Sequence, residues 1–322
     1  MQYTALGSTG VQVSKLCFGT MSFGGDADES TSAAMFGACR DAGINFFDCA
    51  NVYNGGRAEE ILGRLIQGQR DELVITSKVF GAMSDDRNAR GLSRRHITRA
   101  VEDSLRRLNT DRLDFYFVHQ WDEQTLMEET LAALDSLVQT GKIVYPAVSN
   151  WSAWQIALSL GKCELNHWSR FRCVQPMYSL AKRQAEVEIL PLAQSENLGV
   201  IPYSPLGGGL LSGKYSTQNR PEGGRLQDNK MYTKRYGDSK YFEVAERFTQ
   251  YAQEQNIHPA TLAVAWVKSH PAITAPIIGA RNVEQLEPSL CAGEYEMTPE
   301  QRAEISALSP TPPPATDRSE TQ

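Results

Sequence analysis

Leu113-Asp-Phe-Tyr-Phe-Val-His119 is an aromatic and β-branched run that breaks off on a polar residue. Residues 126–139 follow with Leu131, Leu134 and Val138 at helical spacing, and Ile143-Val-Tyr-Pro-Ala-Val-Ser149 repeats the apolar run. A short apolar run without alternation reads as a strand buried on both faces. The middle segment reads as an amphipathic helix, stopped by Gly141. Two such strands joined by a helix make a right-handed parallel crossover. Working outward, residues 15–18, 44–48, 73–78, 172–175, 200–203 and 274–278 read the same way and bring the expected strands to eight. Another helix is expected over residues 93–108, with Ile97, Val101, Leu105 and Leu108 on one face and Ser93 as N-cap. Eight alternations predict an α/β protein, one (β/α)8 TIM barrel over residues 1–309, although 322 residues would by length alone suggest two domains.

Three stretches stand outside that repeat. Residues 3–6 and 11–13 flank Gly7-Ser8-Thr9-Gly10 and predict a β-hairpin that plugs one end of the barrel. Residues 207–240, after the seventh barrel strand, are rich in Gly, Asn, Asp, Arg and Lys and predict a long loop that covers a ligand. Residues 310–322 are proline-rich and polar, which predicts a disordered tail.

Composition narrows the function. Lys+Arg 32 against Asp+Glu 38 gives a net charge of −6 with the signs mixed along the chain, which argues against a nucleic-acid partner. No run of about 18 apolar residues occurs, and the start lacks a basic segment followed by an apolar one, so no membrane partner and a cytoplasmic location are expected. The six cysteines show no CxxC spacing and the five histidines no ligand-spaced pair, so reduced buried thiols and no metal site are expected.

In such barrels the reactive residues sit at the C-terminal ends of strands. Asp48 ends Ile44-Asn-Phe-Phe-Asp48, Lys78 ends Leu73-Val-Ile-Thr-Ser-Lys78, His119 ends the run quoted first, and Tyr53 lies five residues after Asp48. Taken singly, each has an ordinary explanation: a helix cap, a solvated strand end, a hydrogen-bonded core edge and a loop anchor. Together with Gly19-Thr-Met21, Gly141-Lys-Ile143, Val148-Ser-Asn150, Gln175-Pro-Met-Tyr178, Pro202-Tyr-Ser-Pro-Leu206 and Ile278-Gly-Ala-Arg281, in this order, they span nearly the whole chain. This ordered set resembles the aldo-keto reductase superfamily, and within it the bacterial-type NADP-dependent members. The resemblance implies that Asp48, Tyr53, Lys78 and His119 form a catalytic tetrad.

The chemistry explains why these residue types belong together. Reducing an aldehyde or ketone, sugar-like carbonyls included, takes a hydride at carbon and a proton at oxygen, and Tyr53 is the expected proton donor. A free phenol has a pKa near 10, so Lys78 is expected to favour the phenolate and Asp48 to keep that lysine charged and aimed. His119 either polarises the carbonyl oxygen or relays a proton to Tyr53, and the residues leave both roles open.

No side chain donates a hydride, so a nicotinamide cofactor is required, and no Gly-x-Gly-x-x-Gly fingerprint follows a first strand. The resemblance implies NADP(H) lying across the strand ends. Ser149, Asn150 and Gln175 would hold its carboxamide and Tyr203 would stack beneath its ring. Ser204, Pro205, Leu206 and Gly207 lie in a glycine-rich stretch suited to the pyrophosphate, and Lys214 and Arg225 suit phosphate contact. Gly19, Thr20, Met21 and Asp48 complete the implied set, with Ile278, Gly279, Arg281 and Gln285 in the last segment. Gly279, Ala280 and Gln285 stand where other members carry a Lys-Ser pair and a later Arg for the 2′-phosphate, and Ser289 where many have Asn. Arg281 is the remaining cation there, expected to contribute about 1.5–3 kcal/mol toward NADPH. Pro146-Ala147 departs from the usual Ile-Gly and predicts an irregularity before Ser149.

Phe23, Trp121 and Trp151 are expected to wall a small carbonyl substrate. A competing reading is an NADP-binding regulatory subunit resembling the potassium-channel β subunits, for which an added N-terminal interaction segment would be expected. Oligomeric state has no signature in the sequence.

Overall fold

The computed structural model describes residues 1–221, 226 and 229–316. β1 (Tyr3–Ala5) and β2 (Gln12–Ser14) pair antiparallel, with Gly7 and Gly10 both at positive φ in the turn between them. The barrel strands are β3 (Cys17–Gly19), β4 (Phe46–Asp48), β5 (Val74–Val79), β6 (Leu113–Val118), β7 (Ile143–Ser149), β8 (Cys173–Gln175), β9 (Gly199–Val200) and β10 (Ile277–Ile278). All eight lie in one sheet in the order β10-β3-β4-β5-β6-β7-β8-β9, every neighbouring pair parallel. Backbone bonds from Thr274 N to Val200 O and from Ile277 N to Pro202 O, both 2.9 Å, join the two edges. The sheet is thus curled into the expected (β/α)8 barrel. Ladders β9 and β10 are shorter than the apolar runs that announced them, because their facing sides meet through single hydrogen bonds rather than a regular ladder.

Helices form where the 3.6-residue pattern lies between strands. Arg94–Leu108 is capped by Ser93, whose hydroxyl accepts from His96 N, and ends at Asn109 in the left-handed region. Met127–Gln139 ends before Gly141, which takes a φ of +70° and donates its N–H to Val138 O. The apolar surface forms two shells. One lies between sheet and helices; the other fills the barrel with Cys17, Phe46, Val74, Phe115, Phe117 and their neighbours. Leu6 and Val13 of the hairpin join this inner shell, both fully buried. A Cβ on Gly7 would lie 2.5 Å from Gly199 N, so the hairpin is pressed against the start of β9. It plugs the N-terminal end, leaving the opposite mouth for chemistry.

Two expectations need correction. The ladder runs through Pro146 without a slip, Tyr116 opposite Pro146 and Ala147 opposite Cys173. Pro146 O accepts from Arg172 N, so its missing N–H would point to the same neighbour, ahead of the point where β8 begins. The irregularity falls instead at Asn150, with a φ of +58°. The stretch 207–240 is also not a featureless loop. It contains a 3-10 turn, Gly207–Gly209, and a helix, Lys230–Tyr236, before the helix Ser239–Glu254 begins. Only Tyr232 and Tyr236 give Lys230–Tyr236 a buried face, too few apolar positions for a periodicity reading.

Residues 310–316 carry neither helix nor strand, and the rest of the expected tail lies outside the described residues. Among the described residues no helix is long and apolar enough to cross a membrane.

Candidate active site

The C-terminal mouth opens on a cleft of about 650 Å³. Its floor begins with register. Asp48 at the end of β4 faces Thr76 in β5, and Thr76 Oγ1 donates to Asp48 Oδ1 at 2.7 Å. Lys78, two residues on, shares the inward face of Thr76 by strand alternation. Its Nζ donates to Asp48 Oδ2 at 2.6 Å and to Cys49 O at 2.7 Å, and lies 3.3 Å from Tyr53 Oη. Lys78 has no exposed surface and Asp48 only 2%. Tyr53 is presented by a tight turn, Tyr53–Gly56, in which Asn54, Gly55 and Gly56 all take positive φ. His119 follows β6, anchored by its N–H to Val79 O, with its ring edge-on to Tyr53 and centroids 6.1 Å apart.

The left-handed turn at Asn150 carries a second chain of contacts. Asn150 Nδ2 donates to His119 O at 2.9 Å and to Ser149 Oγ at 3.0 Å, and its Oδ1 accepts from Tyr203 Oη at 2.8 Å. Ser149 Oγ donates to Gln175 O, and Gln175 Nε2 donates to Asp48 Oδ1 at 2.9 Å. Residues picked out for a carboxamide are therefore wired into Tyr53, Lys78 and Asp48 through one hydrogen-bond network. Such networks hold their members rigidly when every polar group is partnered.

Charge states follow from burial. Burial pushes the Tyr53 phenol up to about 12; Lys78 pulls it down and the Asp48 charge pushes it up. Lys78 favours the phenolate, but burial, the largest influence, outweighs it and keeps the phenol protonated. Burial opposes the Lys78 ammonium, but the Asp48 and Tyr53 oxygens outweigh it and hold its pKa above the ordinary lysine value. His119 is pushed down to about 3, first by burial and then by the Lys78 charge. At neutral pH the site presents a protonated phenol and a neutral imidazole.

Of the residues singled out in the sequence, Gly19, Met21, Asp48, Tyr53, His119, Ser149, Asn150 and Gln175 line the cleft. So do Tyr203, Ser204, Pro205, Leu206 and Lys214 on one side and Ile278, Gly279, Arg281 and Gln285 on the other. Others do not reach it. Lys78 lies behind the floor, and Thr20 is fully buried, donating its hydroxyl to Asp48 O. Gly207 is buried beneath the turn whose Gly208 and Gly209 face the cleft. Phe23 is not a substrate wall: it has no exposed surface and packs on Phe18 with centroids 5.7 Å apart. Trp151 is 3% exposed and lies edge-on to Trp121 and Phe171, so it is packing beside the mouth, not lining, while Trp121 itself is half-buried. Arg225 lies outside the described residues.

Reading the sequence missed Tyr215, Met231, Tyr232, Arg235 and His258, which also line the cleft, as does Ser289 of the last segment. The pair Tyr232 and Tyr236, four residues apart in a polar stretch, is too short for a periodicity signal. The cleft fits a nicotinamide dinucleotide on its own features. One end is the hydrogen-bonded floor; along its length lie the cations Lys214, Arg235 and Arg281. Consecutive positive φ at Gly207, Gly208 and Gly209 folds the backbone tightly beside it, and Ser289 Oγ, buried without a partner among the described residues, belongs to its lining.

A (β/α)8 barrel with a buried Lys–Asp pair behind a tyrosine at its mouth defines a class of acid–base site. The Aldo/keto reductase family model matches residues 15–310, and the chain belongs to that family. It is 38% identical over 325 residues, covering 97% of each chain, to the uncharacterized oxidoreductase YrpG of Bacillus subtilis. It is 35% identical over 326 residues to a probable voltage-gated potassium channel subunit beta of rice, Oryza sativa subsp. japonica, covering 98% of this chain and 99% of the relative. To the norsolorinic acid reductase of Aspergillus flavus it is 33% identical over 320 residues, covering 94% of this chain and 79% of the relative. The chain is an oxidoreductase of this family.

Proposed function

We propose that the protein reduces aldehydes or ketones to alcohols with NADPH, and that Tyr53 delivers the proton. The observation that carries the reading is Tyr53 Oη at the cleft floor, 3.3 Å from a fully buried Lys78 ammonium that is itself 2.6 Å from Asp48. A bound nicotinamide supplies the hydride, and the chain supplies the rest. Tyr203, Asn150, Ser149 and Gln175 hold the nicotinamide end, the turn at Gly208 and Gly209 with Lys214 the pyrophosphate, and Arg281 with Gln285 the 2′-phosphate.

As negative charge grows on the carbonyl oxygen, Tyr53 gives up its proton to it, and the Lys78 ammonium stabilises the phenolate left behind. Asp48 keeps Lys78 charged within an environment that opposes the charge. His119 offers the one N–H of a neutral imidazole to the same oxygen. A relay through its ring would require it to take up a proton, which burial and Lys78 oppose. The unpaired state of all six cysteines suits the reducing cytoplasm, where we place the protein.

Similarity to the rice channel subunit supports a second reading, a nicotinamide-binding regulatory subunit. The two separate in one experiment: fluorescence titration with NADPH and NADH, then NADPH oxidation over a panel of aldehydes, ketones and quinones. Turnover with a preference for NADPH supports the reductase. Tight NADPH binding with no turnover at any pH supports the regulatory subunit.

A further inference from the structure

Glu59 is a fully buried acidic residue, yet no step above uses it. It lies on the helix Arg57–Leu65, which continues directly from the turn that presents Tyr53. Its Oε1 accepts from Ser77 Oγ at 2.5 Å and its Oε2 from Arg107 Nε at 2.6 Å. Ser77 immediately precedes Lys78 in β5, its side chain on the opposite, helix-covered face of the sheet. Arg107 comes from the last turn of Arg94–Leu108, and a Cβ on Gly56 would lie 2.8 Å from its Cδ. One carboxylate thus ties together the strand that carries Lys78, the helix that follows Tyr53, and the arginine that backs the end of the Tyr53 turn.

The contact between Tyr53 Oη and Lys78 Nζ spans two separate elements, so its length depends on how turn and strand are held against each other. Buried ion pairs are a poor source of net stability compared with apolar packing, whereas their directional bonds fix geometry. We infer that Glu59, with Ser77 and Arg107, is a positioning unit that sets the separation of the Tyr53 hydroxyl and the Lys78 ammonium. This rests on Tyr53 being the proton donor.

The test uses Ser77→Ala in the full chain, which cuts the link to β5 but leaves the Glu59–Arg107 pair. The probe is reduction of 4-nitrobenzaldehyde by NADPH. The expected result is a loss of about tenfold in kcat, with KM and the NADPH dissociation constant unchanged and a larger solvent deuterium isotope effect. In a Tyr53→Phe background the same substitution should cause no further loss, because the unit acts only through that hydroxyl. Should Ser77→Ala fail to fold, Arg107→Lys, which keeps the charge but not the directional N–H, should give the same pattern at smaller amplitude. Parental kcat in these variants, or an equal fractional loss with and without the Tyr53 hydroxyl, overturns the inference while leaving the function intact. Parental turnover by Tyr53→Phe, or no turnover of the aldehyde by the parent, instead overturns the reading of Tyr53 and takes the inference with it.

Discussion

The two ends of the cleft are built differently. At the floor, Asp48, Thr76 and Lys78 are buried on the adjacent strands β4 and β5, Gln175 reaches Asp48 from β8 across the barrel, and the bonds among them are 2.6–2.9 Å. At the far end the cations sit on loops and short helices. Arg281 pairs with Asp26 at 3.1 Å, and the two side chains are 38% and 48% exposed. In the first region geometry is fixed before any ligand arrives; in the second, Arg281 is exposed and already holds a competing carboxylate, Asp26. Substitutions should therefore cost much at the floor and little at the far end.

The largest effect is expected from Lys78→Met. It leaves the Asp48 carboxylate buried with only its Thr76 and Gln175 side-chain donors and removes the charge that stabilises the Tyr53 phenolate. Breaking a buried pair costs about 3–5 kcal/mol, and carbonyl reduction should fall about 10³-fold. Chemical denaturation and steady-state rates check both, and an active, equally stable variant would erase the contrast between the two ends.

Asp48→Asn should cost less, about 10²-fold in rate, since a side-chain amide keeps one acceptor but sets its NH2 against a neighbouring donor. Combined with Lys78→Met the losses should fall well short of multiplying, because the two act as a unit. Multiplicative losses would mean that the floor is a set of independent groups.

A pH measurement sharpens the same contrast. His119 titrates near 6.5 when unfolded and at about 3 in the fold, so between these values the unfolded chain binds more protons. Its contribution to stability is present above pH 6.5 and is lost as pH falls toward 3. Denaturant unfolding from pH 7 to 4 should show a shallower acid loss in His119→Gln than in the parent. A steeper loss in the variant would contradict a neutral, buried imidazole.

The smallest effect belongs to Arg281→Ala. A 2′-phosphate must share this guanidinium with Asp26 at an exposed site, so the 1.5–3 kcal/mol anticipated for a hydrogen bond to a charged group reduces to about 1 kcal/mol. NADPH binding should weaken about fivefold, NADH binding should not change, and raised salt should shrink the difference. Equal weakening of both cofactors would remove Arg281 from the 2′-phosphate.

The same contrast governs what the sequence made legible. Asp48, Lys78 and His119 each end an apolar run, and strand alternation alone sends Thr76 and Lys78 to one face, so the barrel and its floor could be read from residue order. The Asn150 turn could not: its positive φ, and the contacts it makes with His119, Ser149 and Tyr203, are tertiary. Phe23 and Trp151 were misjudged because an aromatic near a strand end fills a core as readily as it walls a substrate, and only packing decides. Tyr232 and Arg235 were hidden in a polar stretch whose helix has a two-residue buried face. That burial outweighs the pull of Lys78 on the Tyr53 phenol could not be read either, because burial has no sequence signal.

The central claim is that a protonated Tyr53 hydroxyl, held against a buried Lys78, delivers the proton. Its most direct test is single-turnover carbonyl reduction by Tyr53→Phe beside an NADPH titration of the same protein. We expect the reduction rate to fall at least about 10²-fold while the NADPH dissociation constant stays within twofold of the parent, roughly 0.4 kcal/mol. A Tyr53→Phe protein that reduces the carbonyl at the parental rate would contradict the account.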